Sequence, residues 1–231
     1  GVAIGTAIIS YSLGSGCLAT KVVTVNPAMS PISGSSSVCV NATIPLTNAA
    51  VGGVWSSSSP TAGTIGPSSG IVTGIAAGVT TVSYTYTGCV VTKPITVNPL
   101  PTAITGNVPV CVSMTVALAS TPMSGTWSSG SPLIASVGIT SGIVSGVSPG
   151  TAGITYTLTT GCKTIATVTV NNPPSSITGS GFVCVGGSTA LSSATIGGTW
   201  SSSNTGIVTV GPTSGVMTGM ALGTAMISYT A

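Results

Sequence analysis

The 231-residue chain has no Asp, Glu, His, Arg or Gln, and its only charged side chains are three lysines, Lys21, Lys93 and Lys163. At the ordinary frequency of roughly 25% charged residues, about 58 would be expected. These absences exclude chemistry directly. Without carboxylates there is no general acid–base pair and no cage for a hard cation; without His there is no imidazole zinc ligand and no Ser-His-Asp triad. A Ser or Cys nucleophile would lack a base to activate it. The chain is therefore expected to be no enzyme and to need no cofactor, no metal and no small-molecule substrate. Three isolated lysines, a formal net charge of +3, also fall short of the clustered basic patch that nucleic-acid binding requires.

Long apolar runs are missing as well. Mean hydropathy is high, +0.70, but Gly, Pro, Ser or Thr interrupts every stretch well before the roughly 20 residues of a spanning helix. No transmembrane segment is expected in this chain. Disorder is equally disfavoured, because 42% of the residues are hydrophobic and the net charge is small. No stretch carries a helical period of apolar residues.

What the chain does have is repetition. Trp55, Trp127 and Trp200 follow one another by 72 and 73 residues, and Tyr11, Tyr84, Tyr156 and Tyr229 by 73, 72 and 73. The six cysteines form two families with the same step: Cys17, Cys89 and Cys162, each preceded by Gly, and Cys39, Cys111 and Cys184, each in Val-Cys-Val. Such a period suits a small independent domain better than a short solenoid repeat. Within each unit the order of motifs is constant: Val-Cys-Val, then Trp-Ser-Ser, then Ser-Gly-Ile/Val-Val/Met-Thr/Ser-Gly, then an alternating run such as Val82-Ser83-Tyr84-Thr85-Tyr86. Alternation with β-branched and aromatic residues is the signature of a half-buried strand. A second run follows Gly88-Cys89 or Gly161-Cys162, so the pair reads as a hairpin closing each unit. Many short strands with frequent turns predict an all-β chain of tandem sandwiches.

Each closing strand ends in Thr-Val-Asn followed closely by Pro. Proline has no backbone donor and holds its neighbour extended, so these points are the expected domain boundaries. On that phasing residues 1–26 hold the last two strands of a preceding domain, 27–98 and 99–171 are complete domains, and 172–231 lacks its final strand. Two explanations suit this phase. The residues are a window on a longer polypeptide, or the N-terminal strands of one chain complete the open domain of another. Against simple completion, residues 1–13 duplicate a strand already present at 219–231.

Six cysteines in such an array read as structural disulfides of an oxidising compartment, since no Cys-x-x-Cys is present. The expected pairs lie within domains, Cys39 with Cys89 and Cys111 with Cys162, leaving Cys17 and Cys184 for partners outside the window. The alternative ladder, Cys17–Cys39, Cys89–Cys111 and Cys162–Cys184, is disfavoured because each pair would straddle a closing strand and a proline linker. The three tryptophans and the tyrosines Tyr11, Tyr84, Tyr156 and Tyr229 are expected core anchors, with Trp-Ser-Ser on a central strand and not a sugar-stacking platform. The lysines read as solvated charges on outer strands, and Asn41-Ala42-Thr43 as a coincidental glycosylation sequon.

Trp200-Ser-Ser-Ser-Asn-Thr205, Ser69-Gly-Ile-Val-Thr-Gly74, Gly223-Thr-Ala-x-Ile-Ser-Tyr229 and Thr24-Val-Asn-Pro27 together resemble bacterial immunoglobulin-like repeats. The likeness is to the group-2 type and its cysteine-containing relatives in very large surface proteins of Bacteroidetes-type bacteria, and it covers essentially the whole chain. It implies immunoglobulin-like sandwiches in a rod-like array, secretion to the bacterial cell surface, and a role in stalks, adhesins or matrix. The leading expectation is a structural segment of an extracellular fibre whose partner is a further copy of itself, end to end or laterally. The alternative is an adhesin module that binds glycans or another surface protein through inter-strand loops.

Overall fold

The computed structural model describes residues 3–231, and every regular element among them is a β-strand. Strands β1 (Gly5–Ser12) and β2 (Leu18–Val25) form a two-stranded antiparallel hairpin. Seven strands follow: β3 (Ser37–Cys39), β4 (Thr43–Pro45), β5 (Val54–Ser57), β6 (Gly63–Ile65), β7 (Ile71–Gly74), β8 (Gly78–Tyr86) and β9 (Cys89–Asn98). They form one sheet in the order β3-β9-β8-β5 and another in the order β4-β7-β6. The set repeats as β10 (Val110–Cys111), β11 (Thr115–Ala117), β12 (Thr126–Ser129), β13 (Ala135–Val137), β14 (Ile143–Gly146), β15 (Gly150–Thr157) and β16 (Lys163–Asn171), with sheets β10-β16-β15-β12 and β11-β14-β13. A third unit has β17 (Thr178–Gly179), β18 (Ser188–Ser192), β19 (Thr199–Ser202), β20 (Val208–Val210), β21 (Val216–Gly219) and β22 (Ile227–Thr230).

The alternation that predicted strands also builds the cores. Along β8, Thr80, Val82 and Tyr84 are buried, with more open residues between them, and β9 contributes Ile95 and Val97 to the same face. Val72 on β7 and Leu46 beside β4 come from the opposite sheet into the same cluster, which makes the unit an immunoglobulin-like sandwich. β8 and β9 meet in a two-residue turn, Thr87-Gly88, whose φ angles of 47° and 81° are those of the primed turns that match strand twist.

Trp55, Trp127 and Trp200 are buried, but not on a central strand. β5 and β12 lie at sheet edges, each beside the strand that carries the partner tyrosine. Indole and phenol rings pack at 4.5, 4.6 and 4.7 Å between centroids in the three units. Each tyrosine hydroxyl is satisfied twice. Tyr84 Oη accepts from Gly53 N at 2.8 Å and donates to Ala50 O at 2.6 Å, and Tyr156 and Tyr229 repeat the arrangement. Residue 53 has to be glycine, because a Cβ there would lie 2.4 Å from the Tyr84 ring. Tyr11 is 67% exposed, since among the described residues no second sheet covers the β1–β2 hairpin.

The third unit shows what a closing strand contributes. The clusters of the first two sandwiches hold nine and eleven buried residues, whereas that of the third holds three, Leu191, Trp200 and Met217. β22 pairs with β19 and has no partner on its other side among the described residues. The Val-Cys-Val segment at 183–185, which would pair with a closing strand, is not a strand here, and Phe182 beside it is exposed. A groove of about 490 Å³, lined by Val183, Leu191, Ile207, Met217 and Ile227 among others, opens onto the small cluster of the third unit.

Candidate functional site at the sandwich junction

The junction between sandwiches is built from the long closing strand of each unit and the short strand that pairs with its end. β3 pairs with β9 in parallel, with Val38 opposite Val97 and Cys39 opposite Asn98. The chain before β3 keeps the same course. Ser36 O accepts from Thr96 N at 2.9 Å, and the Lys93 ammonium donates to Gly34 O at 2.5 Å and Ile32 O at 3.4 Å. Residues 32–39 therefore accompany 93–98 to one pole of the sandwich. Lys93 is thereby half-buried and bound to carbonyls, unlike the solvated Lys21 and Lys163.

This register overturns the expected disulfides. Cys39 stands level with Asn98, while Cys89 opens β9 nine residues earlier, about 30 Å away at strand spacing. A disulfide tolerates Cα separations of only about 4.4–6.8 Å. The same holds for Cys111, level with Asn171, and Cys162, just ahead of β16. Neither pair can close within a sandwich. Instead Cys39 is bonded to Cys162, across the junction, with a Cα separation of 5.7 Å. Cys162 Sγ also lies 3.9 Å from the Asn98 carbonyl oxygen, the last residue of β9. One repeat earlier the corresponding parts meet as well: Asn26 Nδ2 donates to Thr87 O in the β8–β9 turn at 2.7 Å.

Cys89 and Cys111 are half-buried free thiols, and Cys17 and Cys184 are exposed ones. The two hairpins that present Cys89 and Cys162 are not identical. Cys89 pairs with Tyr86 as a strand residue, whereas Cys162 lies in the longer turn between Thr157 and Lys163, closed by Leu158 N donating to Cys162 O at 2.8 Å. That extra residue accounts for the step from 72 to 73 and projects the cysteine beyond the sheet.

The Trp-Ser-Ser motif has a structural role that the sequence did not disclose. Ser57 Oγ donates to Gly63 O at 2.6 Å and contacts Thr80 Oγ1 at 2.7 Å, tying β5 to β6; Ser129 Oγ repeats the first bond with Ala135 O. The loops that follow, between β5 and β6, β12 and β13, and β19 and β20, hold five residues each. None is enlarged into a recognition loop. Among the described residues no group of three His, Cys, Asp or Glu side chains converges, and no helix is long and apolar enough to cross a membrane.

No protein-family model matches the chain, and no curated protein matches it. Solved structures do. Domains 4 and 5 of the S-layer protein SbsC are 19% identical, over 62% of this chain and 99% of that one, with a TM-score of 0.32. A C-terminal 282-residue fragment of intimin, solved in complex with the intimin-binding domain of the translocated intimin receptor, is 19% identical over 69% of each chain, with a TM-score of 0.42. Drosophila N-cadherin EC1-4 is 11% identical over 93% of this chain and 73% of that one, with a TM-score of 0.29. At these identities and scores the likenesses carry nothing about function. The assignment to immunoglobulin-like sandwiches rests on the strand order and register described above.

Proposed function

We propose that the chain is a structural repeat segment of an extracellular bacterial surface fibre or stalk, and that copies of it associate end to end. The domains of that fibre run from 27 to 98, 99 to 171 and 172 to 231, with 1–26 as the closing hairpin of a preceding unit. The observation that carries the reading is the Cys39–Cys162 bond between successive sandwiches. Such a bond persists in an oxidising, extracytoplasmic compartment, and it fixes one sandwich to the next. A protein that works through mobile loops gains nothing from this. The sequence likeness to bacterial surface repeats supports the bacterial setting.

Association follows from the sheet edges. With three lysines and no acidic residues the sheet edges have no charge to keep copies apart.

Sedimentation and negative-stain electron microscopy of the oxidised chain test this. Particles are expected to lengthen with concentration and to show beads roughly 35–40 Å apart, the span of a ten-residue strand plus its loops. A dispersed monomer at every concentration, with no beading, contradicts the proposal.

A further inference from the structure

We infer that the Cys39–Cys162 bond is a tension bypass: a pull along the chain passes through the disulfide and leaves residues 40–161 unloaded. The inference goes beyond the assembly reading and holds for a single chain.

The geometry is that of two extended segments joined end to end. On one side, β2 (Leu18–Val25) leads into the stretch that runs beside β9, through Lys93's contacts with the carbonyls of Ile32 and Gly34, to Cys39 opposite Asn98. On the other side, Cys162 opens directly into β16, the nine-residue closing strand that ends at Asn171 beside Cys111. β2, β16 and residues 36–39 beside β9 are extended, so these parts have little slack to release. Cys39 and Cys162 meet at the junction with their Cα atoms 5.7 Å apart. Once the β1–β2 hairpin and the third unit have yielded, a force applied at the two ends of the chain reaches the sulfurs through strands that cannot lengthen further. It then crosses by a covalent bond.

The residues taken out of the path are those that would unravel. The bonded cysteines are 123 positions apart, which places 122 residues between them. That stretch holds β4 to β15, including Trp55, Trp127 and most of both buried clusters. Without the bond, tension would have to pass through these strands in series, and each sandwich would yield its full length on opening. With the bond they form a closed loop off the line of force. Spacing within the repeat generalises the device. From each Gly-Cys to the following Val-Cys-Val is 22 residues, at 17–39, 89–111 and 162–184. In an array stapled in the manner of Cys39–Cys162, segments two steps apart, such as 17–39 and 162–184, alternate with disulfides in a covalent thread, while 89–111 lies in the loop that this thread bypasses.

Single-molecule pulling of the whole chain, with handles at its two ends, tests this. At about 3.6 Å per residue, the fully unfolded oxidised chain should reach a contour of about 38 nm. Treatment with a dithiol, which leaves as its cyclic disulfide and returns both cysteines to thiols, should raise the contour to about 83 nm, roughly a twofold gain. The Cys39→Ser and Cys162→Ser variants should show the longer contour without reductant. An oxidised chain that already extends to about 83 nm overturns the inference. So does a reductant-dependent gain of only about 18 nm, the length hidden by a bond between Cys39 and Cys89. Because each molecule is pulled alone, neither outcome depends on whether copies assemble.

Discussion

Reducing the Cys39–Cys162 bond should split one cooperative unfolding transition into two and lower both midpoints by roughly 10–20 °C. In the oxidised chain, when the β3–β9 sandwich opens while the β10–β16 sandwich stays folded, the open residues form a loop of about 60 residues. One end of that loop is held by the linker and the other by the disulfide. In the chain-entropy treatment this closure raises the free energy of the open state by about 4 kcal/mol. The converse opening is penalised equally. If both open, however, there is one loop of 123 positions, and because closure entropy grows only logarithmically the total penalty is about 5 kcal/mol. The second sandwich thus opens almost free of the penalty that protected it. A bond between folding units couples them, which a bond inside either would not do. Calorimetry with and without reductant checks this. Two independent transitions in the oxidised chain would contradict the coupling.

The Trp127→Ala substitution should unfold its own sandwich and, through the disulfide, weaken the neighbour. Trp127 is buried against Tyr156 in a cluster of eleven residues, and truncating such a side chain costs about 3–5 kcal/mol. A unit of some 72 residues has a total stability on the order of 4–11 kcal/mol, so the change removes much of it. In the oxidised chain the β3–β9 sandwich then loses its closure advantage, although none of its residues has been altered. Hydrogen exchange should show amides of β8 and β9 becoming less protected in oxidised Trp127→Ala but unchanged when both proteins are reduced. Trp200→Ala provides the contrast. It should affect the third unit alone, whose three-residue cluster has neither a closing strand nor a disulfide among the described residues. Unaltered protection of β8 and β9 in oxidised Trp127→Ala would count against the mechanism.

The strands were legible because their information is local. Alternation at Val82-Ser83-Tyr84, the turn at Thr87-Gly88 and the proline stops can all be read within a few residues, and the 72- to 73-residue step multiplied the signal. Trp and Tyr could be paired by period, although the edge position of β5 could not. The disulfide was not legible, because it depends on the parallel pairing of β3 with β9, a contact between residues 59 positions apart in register. That pairing sends Cys39 to the pole opposite Cys89. Read without it, the two cysteines of one repeat look like natural partners. Tyr11 carries the motif of Tyr84, but among the described residues no second sheet covers the β1–β2 hairpin. The composition offers no acid–base pair, and set beside the junction it shows two almost uncharged sandwiches held to each other by a covalent bond.

Disulfide mapping of the unreduced chain is the most direct test of the central claim, that successive sandwiches are bonded to each other. Cleavage after aromatic residues separates the cysteines into four fragments: 12–55 with Cys17 and Cys39, 87–127 with Cys89 and Cys111, 157–182 with Cys162, and 183–200 with Cys184. The account predicts fragment 12–55 joined to fragment 157–182, released as two peptides on reduction. Fragment 87–127 joined to both 12–55 and 157–182 would mean bonds within each sandwich, and would contradict it.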